Sequence, residues 1–198
     1  MFGTKVLEER NSKFNKNIRV VRSLGFGKYI QVNGLTQSGG VVEEIWKSTL
    51  KKVSEKNINN ILVLGLGGGT LTKLLRKKYP NAKITGVEID EVMVELGKKY
   101  LDLDKYNIDI KIEDAKNYKF KKHDLVIVDI YSGDNFPKEF ESELFLKKLS
   151  KFPTVIINRL YFGDKRPDTV RFGNKLEKIL KNVTWHYPVA NLMFICES

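Results

Sequence analysis

Hydrophobic and polar positions follow two different periods along the chain. In the first 40 residues, apolar and polar positions alternate in short runs between glycine-containing turns, which is typical of antiparallel strands; the runs are Lys5–Glu9, Ile18–Ser23 and Lys28–Val32. From Val41 to Lys56, apolar residues recur at helical spacing. We therefore expect a small β unit at residues 1–40 and a second domain, residues 41–198, that begins with a helix.

Beyond residue 60, apolar runs alternate with amphipathic segments. The apolar runs predict strands at Asn60–Leu64, Ile84–Glu88, Ile108–Ile112, Leu125–Asp129, Thr154–Asn158, Trp185–Tyr187 and Leu192–Cys196. The amphipathic segments predict helices at Thr70–Lys78, Glu91–Tyr100, Phe140–Leu149 and Asp168–Leu180. Apolar strands separated by helices indicate an α/β fold, doubly wound around a mostly parallel sheet. The last two strands are close in sequence and predict an antiparallel hairpin at the sheet edge.

Composition narrows the class of protein. The chain has 198 residues, of which 41% are hydrophobic; this suits one ordinary core and excludes a wholly disordered chain. The single cysteine, Cys196, excludes a disulfide scaffold, and with two histidines it gives no metal-ligand spacing. No apolar run approaches the roughly 20 residues that span a bilayer, and the charged N-terminus is unlike a signal peptide. We expect a cytoplasmic protein that does not enter a membrane.

The formal net charge of +11 raises nucleic acid as a partner, but the position of the charges argues against it. Lysines make up 28 of the 35 basic residues and are scattered over the predicted helices, as on solvated helix faces. Acidic residues instead cluster after one buried strand, where the single base is Lys138; they are Asp129, Asp134, Glu139, Glu141 and Glu143. This local excess of negative charge predicts a site for a cationic substrate such as an amine.

A glycine-rich turn follows the strand Asn60–Leu64 and precedes a helix. Open parallel sheets bind ligands at such turns, where backbone N–H groups face the ligand. Gly65, Gly67 and Gly69 satisfy the pattern Gly-x-Gly-x-Gly, whereas Thr70 occupies the position at which a dinucleotide fingerprint has glycine. The turn therefore favours an adenosine with a thioether or sulfonium group over NAD.

Three acids end the neighbouring predicted strands. Glu88 lies 23 positions after Gly65, where a carboxylate can accept hydrogen bonds from both ribose hydroxyls. Asp114 follows the next strand and can reach the exocyclic amine of adenine. Asp129 follows an almost wholly apolar strand, and partial burial there would raise its proton affinity toward that of a general base.

These segments together resemble the spermidine synthases, or aminopropyltransferases, which share the class I S-adenosylmethionine-dependent methyltransferase fold. The similar segments cover most of the chain; they are Lys5–Glu9, Ile18–Val20, Phe26–Lys28, Val32–Gln37, Val87–Glu91 and Lys98–Leu101. The resemblance implies transfer of an aminopropyl group from decarboxylated S-adenosylmethionine to a small-molecule amine, with release of methylthioadenosine. A homodimer is the expected assembly.

The resemblance also implies residue roles. Gln37, Glu88 and Asp114 correspond to residues that contact the nucleoside donor. Asp129, with Tyr131 nearby, would position and deprotonate the amine. For the acceptor we expect contacts from Asp134, Trp46 and Asn158.

Four positions differ from the family pattern. Gly68 replaces an acid that pairs with the free amine of the donor, Trp46 and Lys47 replace a Tyr-His pair, and Ser132 replaces the second acid of an Asp-x-x-Asp loop. The neutral Gly68, and a Lys47 able to pair with a methionine carboxylate, leave open a methyltransferase that uses S-adenosylmethionine itself. Trp46 and Lys47 also leave open a non-catalytic nucleoside-binding homologue.

Overall fold

The computed structural model describes residues 3–54 and 57–198, which form two sheets and five α-helices. The first sheet is antiparallel, with its strands in sequence order: β1 Thr4–Arg10, β2 Ile18–Ser23, β3 Gly27–Val32 and β4 Leu35–Gly39. Strand β4 was not predicted, because its sequence has only one large apolar residue. It forms through a tight turn at Asn33 and Gly34, both at positive φ, a geometry that favours these two residue types.

The second sheet has seven strands in the order β10-β11-β9-β8-β5-β6-β7. The strands are β5 Asn60–Leu64, β6 Lys83–Glu88, β7 Asp109–Ile112, β8 Leu125–Val128, β9 Thr154–Leu160, β10 Val183–His186 and β11 Asn191–Glu197. All pairs are parallel except those of β11, which runs antiparallel to β9 and β10. The mostly parallel α/β fold with a C-terminal hairpin is therefore confirmed.

Helices cover both faces of this sheet. The helices are α1 Val41–Leu50, α2 Thr70–Lys78, α3 Glu91–Leu101, α4 Glu143–Leu149 and α5 Lys165–Leu176. Alternate residues of β5 face opposite sides: Ile61 packs with residues of α1 and α2, whereas Leu62 packs with residues of α4 and α5. No helix within residues 3–54 and 57–198 has the length and hydrophobicity needed to cross a membrane.

Three predicted helices differ from the observed bounds by more than one residue. The helix expected at Val41–Lys56 ends at Leu50, and Lys56 lies outside the described residues. The helix expected at Phe140–Leu149 is divided by Ser142, whose Oγ accepts a hydrogen bond from the N–H of Phe145 at 3.3 Å and so caps α4. A short 3-10 helix, Lys138–Glu141, precedes that cap.

Helix α5 begins at Lys165 rather than at Asp168. Pro167 therefore lies in its first turn, where the missing N–H has no intrahelical partner to lose. The helix also ends earlier than expected, at Leu176.

The N-terminal sheet shares a hydrophobic core with α3 through Ile18, Ile30 and Leu96. Asp90 joins the two units further. Its Oδ1 caps α3 by accepting from the N–H of Val92 at 3.1 Å, and its Oδ2 accepts from Ser12 Oγ at 2.5 Å and Asn15 Nδ2 at 2.6 Å. The sheet ends at Gly39 and α1 begins at Val41. The division of the chain into two domains at residue 40 stays a prediction, because these contacts join the sheet to the main domain.

Helix α3 also lies very close to the glycine-rich turn. A Cβ placed at Gly97 would lie 2.5 Å from the carbonyl oxygen of Gly68. Only glycine allows this approach of helix to backbone, so the turn rests directly against α3.

The variant Gly97→Ala should destabilise the protein by about 1–3 kcal/mol, because α3 and the turn must move apart to admit the methyl group. Thermal unfolding measures the effect. Gly25→Ala is the matched control, since a Cβ at Gly25 has no heavy atom within 4 Å. Equal melting temperatures for the two variants would contradict the close contact.

Candidate active site

A cavity of about 560 Å³ opens at the carboxyl edge of the seven-stranded sheet. Its wall includes the residues that end β5, β6, β7 and β8, together with the start of α1 and the β10–β11 turn. The N-terminal sheet closes one side through the segment that contains Gln37. The cavity lies where the strand ends predicted a ligand site.

The glycine-rich turn is shaped by contacts on both sides. Gly65 has a φ of +85°, and a Cβ there would collide with the backbone carbonyl of Asp129. Gly67 lines the cavity beside Gly65, and its N–H donates to Glu88 Oε2 at 2.7 Å. Gly69, in contrast, is outside the cavity wall and faces Leu103, so its described contacts are with the core.

The N-terminal sheet bonds to the other residues of this turn. Ser38 Oγ accepts from the N–H of Gly68 at 2.8 Å, and Thr70 Oγ1 accepts from the N–H of Gly39 at 2.5 Å. A Cβ at Gly68 would lie 2.7 Å from Ile30 Cδ1 and would not point into the cavity. An acid at this position would therefore face apolar side chains in this protein.

Glu88 ends β6 and lines the cavity, where two backbone N–H groups bind its carboxylate. Its Oε2 accepts from Gly67 as described, and its Oε1 accepts from the N–H of Asp90 at 3.0 Å. Burial raises the pKa of the Glu88 carboxyl, while the N–H groups of Asp90 and Gly67 act in the opposite direction. Each carboxylate oxygen can accept a further hydrogen bond, so Glu88 stays able to bind ribose hydroxyls.

Asp114 and Gln37 also line the cavity. Asp114 Oδ1 accepts from the N–H of Lys116 at 3.0 Å, and Asp114 Oδ2 pairs with Lys116 Nζ at 2.9 Å, which fixes the carboxylate at the rim. Gln37 Nε2 donates to the carbonyl of Gly133 at 3.3 Å and so connects β4 with the loop after β8. The structure thus brings Gln37, Glu88 and Asp114 to one cavity, as the sequence predicted.

Asp129 receives two side-chain hydrogen bonds at the centre of the cavity. Asn158 Nδ2 donates to its Oδ1 at 2.8 Å, and Trp46 Nε1 donates to its Oδ2 at 3.2 Å. Burial raises the pKa of Asp129 to about 6, although both hydrogen bonds lower it. The group is therefore a carboxylate at neutral pH with enough proton affinity to act as a general base.

A further polar residue fixes this arrangement. Asn191, 7% exposed, donates from Nδ2 to Asn158 Oδ1 at 2.7 Å, and that bond directs Asn158 Nδ2 toward Asp129. Sequence reasoning missed Asn191. The signal was an amide at the start of a buried apolar strand, opposite β9 in the antiparallel pair.

Tyr131 lines the cavity, but its hydroxyl proton is already engaged. The hydroxyl donates to the backbone carbonyl of Asn158 at 3.0 Å. Burial, and then the charge of Asp129, raise the pKa of Tyr131, so its phenol stays protonated. In this geometry Tyr131 can accept a hydrogen bond from an amine but cannot remove a proton from it.

Two charged residues for which the sequence suggested a role in the site, Asp134 and Lys47, lie outside the cavity wall. Asp134 is half exposed and pairs with Lys165 Nζ at 2.9 Å, so its predicted contact with the acceptor has no support in this geometry. Lys47 is exposed and lies 3.5 Å from Glu44 Oε1. Neither residue contributes charge to the cavity wall. The face of α1 that lines the cavity carries Trp46 rather than Lys47, and Asp134 in the loop after β8 lies outside the wall.

The charged residues of the described cavity wall are all acidic. They are Glu88, Glu113, Asp114, Asp129 and Glu139, and no Lys or Arg lines the wall. A chain with a net charge of +11 thus presents a negative cavity. In residues 3–54 and 57–198, no group of three or more His, Cys, Asp or Glu side chains could coordinate a metal ion.

Comparison with known proteins identifies the family of this chain. A family described as "Methyltransferase domain" matches residues 61–144. The polyamine aminopropyltransferase of Clostridium botulinum (strain Eklund 17B / Type B) is 37% identical over 205 aligned positions, which cover 92% of this chain and 71% of the relative. The chain belongs to the polyamine aminopropyltransferase family.

Solved structures of spermidine synthases share the fold of this chain. A probable spermidine synthase from Corynebacterium glutamicum superposes with a TM-score of 0.73 at 18% identity, over 98% of this chain and 79% of that one. A spermidine synthase in complex with the transition-state analogue AdoDATO gives the same TM-score and identity, over 98% of this chain and 73% of that one. The predicted class I methyltransferase architecture is confirmed.

The variant Trp46→Phe should raise the pKa of Asp129 by about one unit, because it removes one of the two donors that stabilise the carboxylate. Carbon-13 NMR of the labelled aspartate carboxyl measures this pKa without requiring turnover. The wild-type group should titrate near pH 6.

Trp185→Phe is the control for this titration. Trp185 Nε1 donates to Glu177 Oε1 at 2.9 Å, so this change removes an indole donor that does not contact Asp129. A pKa that rises equally in both variants, or in neither, would argue against direct stabilisation by Trp46.

Proposed function

We propose that this protein transfers an aminopropyl group from decarboxylated S-adenosylmethionine to an amine acceptor. The observation that carries the proposal is the charge of the cavity wall, with five carboxylates and no Lys or Arg. The decarboxylated donor carries only positive charges, on its sulfonium and its amine. S-adenosylmethionine carries in addition a carboxylate, for which the described wall has no cationic partner.

The residues present fit the nucleoside donor. Glu88, at the end of β6, retains acceptor capacity for ribose hydroxyls, and Asp114 is fixed at the rim for the adenine amine. Gly65 and Gly67 bring backbone to the cavity with no intervening side chain. When bound, the donor supplies a carbon next to a sulfonium, which accepts an electron pair from the amine.

Asp129 carries the proton step. Its carboxylate attracts the protonated acceptor amine and accepts one proton, which leaves a lone pair on nitrogen for the attack. Trp46 and Asn158 fix the carboxylate from two sides, and Tyr131 adds an acceptor for a remaining N–H. The main contribution of these residues is to position the amine in line with the bond that breaks.

A methyltransferase reaction is the second candidate, favoured by the methyltransferase-domain match at residues 61–144. Two of the reasons for it lose support. Gly68 does not face the cavity, and Lys47 is exposed, lies beside Glu44 and does not line the cavity wall.

Purified protein supplied with an amine and each donor in turn should release methylthioadenosine from the decarboxylated donor. Release should fall as the pH is lowered through about 6, because protonated Asp129 cannot accept a proton. Asp129→Asn should reduce turnover by at least about a hundredfold while nucleoside affinity stays within a few-fold.

Asp104→Asn, an exposed aspartate in the 3-10 helix Leu103–Tyr106, is the control and should keep the wild-type rate. S-adenosylhomocysteine as the product from the second donor would establish the methyltransferase instead. Full turnover by Asp129→Asn would remove this residue from the mechanism.

Glu88→Gln should weaken methylthioadenosine binding by about 1–3 kcal/mol, since charge-assisted hydrogen bonds to the ribose are lost. Isothermal calorimetry measures the change. Glu91→Gln, a neighbouring exposed acid in the first turn of α3, should bind as the wild type does. Unchanged affinity of Glu88→Gln would contradict its assignment to the ribose.

A homodimer and a cytoplasmic location stay predictions from the sequence. Gel filtration with light scattering tests the first of these. Both are independent of the cavity chemistry on which the proposed reaction rests.

A further inference from the structure

The charge of Asp129 determines how the amides behind it are oriented. A carboxylate only accepts hydrogen bonds, so the atom of Asn158 that faces it must be Nδ2, which lies 2.8 Å from Asp129 Oδ1. The Oδ1 atom of Asn158 is then left facing β11 and needs a donor. Asn191 Nδ2 supplies that donor at 2.7 Å. The two amides therefore form a chain in which every donor points toward Asp129.

Burial leaves these amides dependent on each other. Asn158 and Asn191 are each 7% exposed, and a buried amide must find its hydrogen-bond partners within the protein. In the part of the chain that the structure describes, Asn191 is the one side chain that donates to Asn158 Oδ1. Without Asn191, that oxygen would be buried without a partner.

The β10–β11 turn holds Asn191 in place. Its backbone N–H donates to the carbonyl of Pro188 at 3.0 Å, which closes the turn. The N–H of Tyr161 donates to the carbonyl of Ala190 at 2.8 Å, which joins the turn to the end of β9. The side chain of Asn191 thus starts from backbone that is bonded on both sides.

We propose that Asn191 is a positioning residue for the proton step: it holds the Asn158 amide with its donor toward Asp129 and so keeps Asp129 able to accept a proton. This inference rests on the proposed function and adds a residue to its site. A free Asn158 amide could turn by 180° and present Oδ1 to Asp129, which favours the protonated acid. With Asn191 in place, that turn would bring two NH₂ groups into contact.

Several titratable side chains lie around Asp129, and none takes the place of Asn191. On the surrounding elements they are Tyr131 after β8, Arg159 on β9, His186 on β10 and Lys47 on α1, and the cavity wall adds Glu88, Glu113, Asp114 and Glu139. Tyr131 stays protonated, Arg159 pairs with Glu141 at 2.6 Å, and Lys47 lies 3.5 Å from Glu44. His186 Nε2 lies 2.9 Å from Ser48 Oγ, and burial lowers its pKa. The acids of the wall could only favour protonation of Asp129.

Nitrogen-15 NMR of the side-chain amides tests the chain of bonds in the unmodified protein. The amides of Asn158 and Asn191 should both shift with an apparent pKa near 6, that of Asp129, because protonation of the carboxyl weakens each bond in turn. The transition should disappear in Asp129→Asn. An Asn191 amide that does not titrate, or that still titrates in Asp129→Asn, would overturn the proposal.

The variant Asn191→Leu removes the donor and keeps the branched shape of the side chain. Carbon-13 NMR should show the pKa of Asp129 raised by about half a unit, and by about one unit in Asn158→Leu. The double variant should match Asn158→Leu, because Asn191 acts through Asn158. Additive shifts, or no shift in Asn191→Leu, would contradict this role. The amide titration of the wild type decides the matter even if Asn191→Leu does not fold.

The rate of methylthioadenosine release separates positioning from general stability. Asn191→Leu should lower the rate about twofold at pH 6, where the raised pKa leaves fewer Asp129 groups ionised, and should equal the wild type at pH 8. An equal loss at both pH values would indicate a merely structural role and overturn the proposal.

Asn60→Leu is the control for both measurements. Asn60 starts β5 and lies outside the cavity wall, so this variant should match the wild type in titration and in rate. If the wild type releases no methylthioadenosine with any amine, aminopropyl transfer is rejected. The amide titration still decides the role of Asn191 in that case, so the two failures are distinguishable.

Discussion

Two opposing effects set the pKa of the Asp129 carboxyl group. Burial at the end of β8 disfavours its charge, and the N–H groups of Asn158 and Trp46 favour it. The result, a pKa of about 6, lies between that of a free aspartate and that of a neutral buried acid. This balance requires three elements, α1, β9 and β11, to meet at one strand end, because each supplies a residue of the hydrogen-bond chain.

The rest of the fold makes this meeting possible. Gly65 lets the turn after β5 pass against the backbone of Asp129. Helix α3 packs against the far side of the same turn at Gly97, and the N-terminal sheet bonds to it through Ser38. The cavity wall is therefore set by backbone contacts on three sides. Four of the five acids that line it lie at the ends of strands or within two residues of them, and the fifth, Glu139, lies in the 3-10 helix Lys138–Glu141.

The sequence predicted the features that depend on local pattern. Apolar strand ends followed by Glu88, Asp114 and Asp129 placed the three acids at one edge, since parallel strands end at the same edge of a sheet. The directions of individual side chains could not be predicted in this way. The sequence suggested roles in the cavity for Gly68 and Lys47, but Gly68 faces Ile30 and Lys47 faces solvent.

Asn191 could not be found by pattern either, because its partner lies 33 positions earlier and meets it only when β11 inserts beside β9. The strand β4 escaped prediction for a related reason: it is defined by pairing with β3 and by contacts with the turn after β5, not by its own hydrophobicity. Such features depend on the register between strands that are distant in sequence, and the periodicity of a single segment does not specify that register.

The bonds from Ser38 and Gly39 to the glycine-rich turn link ligand occupancy to the folding of the N-terminal sheet. A nucleoside that contacts both Gln37 and Glu88 would bind the N-terminal sheet and the seven-stranded sheet at the same time. Its binding free energy would then add to the cost of separating them, since the separated form cannot bind it. The two sheets would behave as one cooperative unit when a ligand is bound and as two less tightly coupled units without it.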